Sequence, residues 1–270
     1  MNIMGVVNVT PDSFVGDVRT PTVDGAVRRG LALAAGGAAI IDIGGESTRP
    51  GSTSVDLQVE LDRVMPVIEA LLPQLDPHVQ LSIDTQKEKV ARAAVAAGAH
   101  IINDMSSTLG LVAAELGVGY VAAHMLRTPE TMQDDPRYGD VIAEILAEVT
   151  HTAQTALAAG APTVWIDPGI GFGKTIEHNL QLLAHIDQFV ATGIPVLVGV
   201  SRKGFIGRLH TSSDDRIPLE GASPTPTEDR VEASVALATW CAALGVDVVR
   251  VHDVSATARS LDTFTRISAF

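Results

Sequence analysis

Short β-branched runs alternate eight times with Ala/Leu-rich stretches of helical length, separated by glycine-rich or polar turns. That alternation admits few folds. It predicts strands near 3–9, 39–43, 80–84, 100–104, 120–124, 164–167, 196–200 and 248–252. It predicts helices near 23–35, 57–72, 87–97, 108–116, 141–159, 176–190 and 230–244, with a last helix after Ser255. Strands that alternate with helices pair in parallel as βα units. Eight units in 270 residues fit an α/β barrel, a (β/α)8 TIM barrel of one domain over residues 1–270. A doubly wound open sheet is the alternative. Aromatics are only 4% of the chain, so its layers must pack through Ala, Val, Ile and Leu.

Three long polar loops follow strands, at 10–22, 44–55 and 204–229. In a barrel all three lie on the C-terminal face, where active sites are built. The third holds Pro218, Pro224 and Pro226 and reads as a mobile loop. Gly98, Gly117, Gly160 and Gly193 each end a helical stretch just before a strand, as helix-terminating glycines do.

The strand ends are unusually polar. Asn8, Asp42, Asp84, Asn103, Asp104, His124, Asp167, Lys203, Arg250, His252 and Asp253 all stand there. A strand buried on both faces should end in apolar residues unless its mouth has chemical work, since buried polar groups need partners. Asn8, Asp84, Asn103, Asp167 and Lys203 offer amides, carboxylates and an ammonium. Such a set can read the edge of a heteroaromatic ring with both donors and acceptors. Arg49, Arg250 and His252 are cations or donors. With Asn8 they form a candidate anion site for phosphate or pyrophosphate, particularly with Mg²⁺. In a chain of net charge −13, cations grouped at one mouth are informative. The same charge disfavours nucleic acid or an anionic membrane as partner.

Asp167-Pro168-Gly169-Ile170-Gly171-Phe172-Gly173-Lys174 needs comparison with phosphate loops. A Walker loop would need glycine at Pro168, and the dinucleotide fingerprint would need glycine at Lys174. Both fail. The glycines read as a sharp bend close to a ligand, and Lys174 as a solvated residue. There are eight histidines but no His-Glu-x-x-His helix, so a zinc hydrolase is disfavoured. His78, His151, His178, His185 and His210 read as surface residues. Ser201 lacks the nucleophile elbow. A Schiff-base role for Lys203 is opposed by Arg202 and the surrounding acids, which would keep it charged. The single Cys241 reads as a buried hydrophobe. No apolar run spans a membrane and no basic leader precedes the first strand, so the cytoplasm is the expected location.

These motifs resemble the dihydropteroate synthases. The resemblance rests on Met4-Gly5-Val6-Val7-Asn8-Val9-Thr10-Pro11-Asp12-Ser13-Phe14, Ile41-Asp42-Ile43-Gly44-Gly45-Glu46-Ser47-Thr48-Arg49-Pro50-Gly51, Ser82-Ile83-Asp84-Thr85 and Ile102-Asn103-Asp104. It continues through the Asp167 loop, Gly199-Val200-Ser201-Arg202-Lys203 and Arg250-Val251-His252-Asp253. It implies a barrel that joins 6-hydroxymethyl-7,8-dihydropterin pyrophosphate to p-aminobenzoate. It places Asp84, Asn103, Asp167 and Lys203 on the pterin, and Asn8, Arg250 and His252 on pyrophosphate, with Asn8 also near Mg²⁺. Thr48, Arg49, Pro50 and Ser201 fall on the aminobenzoate side. Asp84, Lys203, Arg250 and His252 are the implied catalytic set, and a homodimer is implied as well. Two departures stand out: Val15-Gly16-Asp17 after Phe14, and Gly204 after Lys203. A folate-linked methyltransferase on the same barrel is the competing enzyme reading, but it would not need Thr48, Arg49 or the Arg250-Val251-His252 anion site. A non-catalytic pterin-binding relative is the other.

Overall fold

The computed structural model describes residues 1–10, 22–219 and 222–270. Its strands are β1 (Asn2–Asn8), β2 (Ile40–Gly44), β3 (Gln80–Asp84), β4 (Ile101–Asp104), β5 (Gly119–Ala123), β6 (Val164–Asp167), β7 (Leu197–Gly199) and β8 (Val248–Val251). Each pairs in parallel with its neighbours, in the order β6-β5-β4-β3-β2-β1-β8-β7. The circle is completed by a parallel bridge from Ile166 to Val196. A doubly wound sheet would reverse strand order at a switch point. This one runs round without reversal and is a nearly closed (β/α)8 barrel.

The helices are α1 (Val23–Ala35), α2 (Leu57–Leu71), α3 (Glu88–Ala96), α4 (Gly110–Leu116), α5 (Val141–Ala158), α6 (Ile176–Ala184), α7 (Ile186–Val190), α8 (Gly204–Asp215), α9 (Val231–Ala243) and α10 (Val254–Ile267). Two depart from the pattern-based expectation. The stretch 176–190 divides at His185, whose φ of −119° and ψ of 28° are not helical. The expected mobile loop at 204–229 opens with the twelve-residue α8. Phe205 and Ile206 are buried there and Leu209 packs behind them, so a short apolar seam holds the helix down. Gly98, Gly117, Gly160 and Gly193 all take positive φ, as expected of helix-terminating glycines. Cys241 is fully buried. The departure at Val15-Gly16-Asp17 lies outside the described residues. No helix among the described residues is long and apolar enough to cross a membrane.

The sheet positions the site through its period of two. Met4, Ile40, Ile101, Val121, Leu197 and Val248 form a compact apolar cluster, separate from the larger core between sheet and helices. Two residues further along the same strand faces stand Asp42, Asn103 and Arg250. Trp165 packs on the cluster, and Asp167 is two residues beyond it. Side chains two apart share a face. The apolar plug and the polar ring are therefore consecutive layers of one barrel interior. Register levels the ring, with Asp84 opposite Asn103 and Gly44 opposite Asp84.

Candidate active site

Arg250 lies at the centre of the polar layer. Its Nε donates to Asp42 Oδ2 at 2.6 Å and its Nη2 to Asp84 Oδ2 at 2.6 Å. Asn103 Nδ2 donates to the same Asp42 oxygen at 3.0 Å. Burial opposes charge on Arg250, but the two carboxylates outweigh it and hold the guanidinium above its usual value. Burial pushes Asp84 up to about 7, against the pull of Arg250 and with the help of Asp42. Because the Asp42 carboxylate can only accept, it fixes the Asn103 amide with its oxygen turned away. That oxygen, Asn103 Oδ1, and the second oxygen of Asp42 are buried without a hydrogen-bond partner. A buried polar layer with unpaired acceptors is incomplete by itself.

Asp167, at the end of β6, accepts from the backbone N–H of Gly169 at 2.8 Å, and burial raises its pKa. Gly169, Gly171 and Gly173 take φ of 65°, 85° and 64°. The sequence suggests a sharp bend close to a ligand, and the structure gives two of the three glycines a packing reason as well. A Cβ on Gly169 would lie 1.8 Å from the carbonyl oxygen of His124, and one on Gly173 would lie 2.5 Å from Leu126. Gly169 and Gly173 interlock the β6 loop with the β5 loop, whereas a Cβ on Gly171 would lie 3.2 Å from the Lys203 side chain at the rim. Lys174 is corrected. It is buried at 3% exposure rather than solvated, and its ammonium bonds Gly169 O at 2.9 Å, Phe172 O at 3.0 Å and His124 Nδ1 at 2.9 Å.

Lys203 makes no ion pair with an acid of the ring among the described residues. It sits over the Phe172 ring, 4.0 Å from the centroid. Burial pushes it down to about 8, although Asp167 and Asp84 pull the other way. Arg202 turns aside, with Nε and Nη2 on the Asp253 carboxylate at 2.8 and 2.5 Å. Ser201 Oγ meets His252 Nδ1 at 3.0 Å and accepts from the His252 backbone N–H at 3.1 Å. Arg29, on α1, donates to His252 O at 2.6 Å. Burial, then Arg250 and Arg202, push His252 down to about 3, so it is a neutral donor or acceptor rather than a cation.

Asn8 is half-buried at the end of β1 and makes no side-chain hydrogen bond to the described residues. Thr48, Arg49 and Pro50 lie on the loop after β2, Thr48 half-buried and the other two exposed. That loop is tied at both feet by Glu46, which accepts from Val55 N at 3.0 Å and Ser54 Oγ at 3.2 Å. Glu46 also pairs with Lys87, which reaches the fully buried Glu60 at 2.6 Å. Asp104 and His178 serve local structure. Asp104 accepts from the backbone of Ser106, Thr108 and Leu109 ahead of α4, and His178, read as a surface residue, closes a capping box with Thr175 at the start of α6. Among the described residues no three His, Cys, Asp or Glu side chains converge on a metal position. Asn8 fits Mg²⁺ only as one hard oxygen ligand beside those of a bound phosphate.

Residues 4–252 match the family described as pterin binding enzyme. The chain is 41% identical over 269 residues to the dihydropteroate synthase of Mycobacterium leprae, covering 97% of this chain and 91% of that one. The chain belongs to the dihydropteroate synthase family. Two solved dihydropteroate synthase structures from Xanthomonas albilineans superpose on it. One, with 4-aminobenzoic acid, gives a TM-score of 0.87 at 43% identity and covers all of this chain and 93% of that one. The other, in complex with 7,8-dihydropteroate, gives 0.84 at 41% identity, with 100% and 94% covered.

Within this family frame, the structure brings Asp84, Asn103, Asp167, Lys203, Arg250, His252 and Ser201 to one rim, with Asn8 and the Thr48-Arg49-Pro50 loop beside it. It adds Asp42, Glu46, Lys87 and Lys174, to which the resemblance assigned no role. Asp42 had a signal, because it ends a β-branched run as Asp84 and Asp167 do. Gly204 opens α8, and a Cβ there would meet nothing within 4 Å. That departure is sterically neutral.

Proposed function

We propose that this protein condenses 6-hydroxymethyl-7,8-dihydropterin pyrophosphate with p-aminobenzoate, giving 7,8-dihydropteroate and pyrophosphate for folate synthesis. It is a transferase of the pterin-methyl group. The observation that carries the reading is the layer around Asp42, Asn103 and Arg250 with its unpaired buried acceptors. A pterin edge has the N–H donors such acceptors require. Asp84 and Asp167 add carboxylates, and Lys203 adds a donor on the far side.

The substitution is dissociative in this reading. The C–O bond to pyrophosphate breaks first and leaves a pterin-methyl cation, which the aminobenzoate amine attacks before losing its proton. Asp84 and Asp167 face the developing positive charge. Arg250, Asn8 and the neutral His252 serve the departing anion, and the Thr48-Arg49-Pro50 loop with Ser201 holds the aminobenzoate. Mg²⁺, held by Asn8 and the substrate's phosphates, would neutralise charge on the leaving group. The same reading carries a cytoplasmic homodimer, with the exposed Trp240 face of α9 in the contact.

Equilibrium binding of 6-hydroxymethylpterin tests the pocket. Wild type should bind, and Asn103→Ala and Asp167→Ala should each lose at least tenfold. Equal binding by all three would remove the pterin from this rim.

A further inference from the structure

We propose that Lys174 is a positioning residue for pterin recognition: its buried ammonium clamps the β5 and β6 loops together and thereby sets Asp167 and Lys203. The inference rests on the functional reading above and adds a residue to it.

The geometry is a closed count of donors and acceptors. An ammonium has three N–H donors. Lys174 Nζ has three near acceptors, Gly169 O, Phe172 O and His124 Nδ1, at 2.9, 3.0 and 2.9 Å, and a fourth, His124 O, at the outer limit of 3.5 Å. His124 Nδ1 can accept only if the imidazole is neutral with its proton on Nε2. Burial and Lys174 itself keep His124 neutral by pushing it down to about 3. Nε2 lies 3.7 Å from the Glu148 carboxylate of α5, which favours a proton there. The tautomer selected by Glu148 is thus the one that calls for a donor at Lys174.

Two of the three bonds lead to groups on the rim, and the third ties the loop to His124 after β5. Gly169, whose carbonyl Lys174 holds, donates its N–H to Asp167 Oδ1. Phe172, also held by its carbonyl, carries the ring on which Lys203 rests. Tyr138 adds a parallel tie, its OH donating to Gly173 O at 2.8 Å. Lys174 touches none of the rim side chains directly, so it acts through the backbone of its own loop. A lysine is costly to bury without a task. A solvated one would leave these carbonyls to water.

The charged and titratable groups facing Lys174 are Asp167, Lys203, Glu148, His124 and His178. Burial pushes Lys174 down to about 7, with Asp167 and Glu148 opposing and Lys203 adding to the fall. The ammonium, and with it the full clamp, is present below that pH and is lost as pH rises through it.

The test is pterin affinity of wild type and Lys174→Met, measured with 6-hydroxymethylpterin by calorimetry from pH 6 to 8.5, beside melting curves. The expected result is at least a tenfold weaker complex for the Met variant at pH 6, with a wild-type advantage that shrinks as pH rises through about 7. Taking the ratio of the two proteins cancels the titration of Asp84, which both contain. A Met variant that binds as wild type does, or a ratio constant across the range, overturns the inference. If the Met variant does not fold, Lys174→Gln takes its place in the same ratio, and the same two results overturn the inference. A wild type that binds no pterin overturns the functional reading and this inference together; one that binds while the variant binds equally overturns this inference alone.

Discussion

Asp42 and Arg250, 208 positions apart in the chain, meet at 2.6 Å through Oδ2 and Nε. The contact joins β2 to β8 across the interior and serves two residues at once. It orients the guanidinium toward Asp84, and it fixes the Asn103 amide with its oxygen free. A carboxylate that only accepts is the one group that can do both.

Asp42→Asn should therefore damage recognition while keeping the side chain's size. Losing a hydrogen bond to a charged group costs about 1.5–3 kcal/mol. Steady-state kinetics should show kcat/KM for the pterin substrate reduced roughly 10–100-fold. Arg250→Ala is harsher, because it leaves two buried carboxylates unpaired. It should cost about 3–5 kcal/mol in urea unfolding and abolish turnover.

Lys203 gives opposite pH trends for activity and stability. Its folded pKa is pushed down to about 8 by burial, from an ordinary value of 10.5. The ammonium is lost as pH rises through 8, so kcat/KM for the pterin substrate should fall above that pH. Between 8 and 10.5 the unfolded chain binds more protons than the folded one, so this residue makes stability rise with pH. Lys174 adds the same sign from about 7 upward. Lys203→Met should reduce the stability slope, measured by pH-resolved denaturation.

The Glu46–Lys87–Glu60 chain separates stability from loop function. Lys87→Met strands the fully buried Glu60 and should cost about 3–5 kcal/mol in denaturant unfolding. Its partners raise the Lys87 pKa, so the pair's stabilisation is complete below 10.5 and is lost as pH rises through the raised value. Glu46→Gln keeps the Lys87–Glu60 contact but loosens the loop that carries Thr48 and Arg49. It should raise the KM for p-aminobenzoate several-fold and change stability by only about 1 kcal/mol.

Two glycines predict opposite outcomes. Gly169→Ala must adopt left-handed backbone, which costs about 1–2 kcal/mol, and its Cβ would strike the His124 carbonyl. It should unfold at clearly lower denaturant and lose pterin binding. Gly204→Ser meets open space and ordinary backbone, so stability should stay within about 0.5 kcal/mol and turnover should be unchanged.

These contrasts follow what was legible in the sequence. The eight strands and the height of the rim were readable because β-branched runs end at Asn8, Asp42, Asp84, Asn103, Asp167 and the last strand's Arg250. Local composition carries that pattern. The α8 helix was hidden because its apolar contribution is only Phe205, Ile206 and Leu209 within a Gly/Ser/Asp-rich stretch; tertiary packing decides it. Lys174 was misread for a similar reason. Its acceptors include His124, fifty residues earlier, and no local window around a lysine shows that such a partner waits for it. Asp104 looked like a member of the rim because it shares the strand-end pattern, yet its oxygens are taken by backbone N–H groups ahead of α4.

The most direct test of the central claim is product formation by the purified protein. It is incubated with 6-hydroxymethyl-7,8-dihydropterin pyrophosphate, p-aminobenzoate and Mg²⁺, with Asp84→Ala, Lys203→Ala and Arg250→Ala in parallel. The account predicts 7,8-dihydropteroate and pyrophosphate in equal amounts from wild type, loss of both on chelation of the metal, and neither from the three variants. Wild-type protein that is folded yet makes no dihydropteroate, or variants that make it at the wild-type rate, would contradict it.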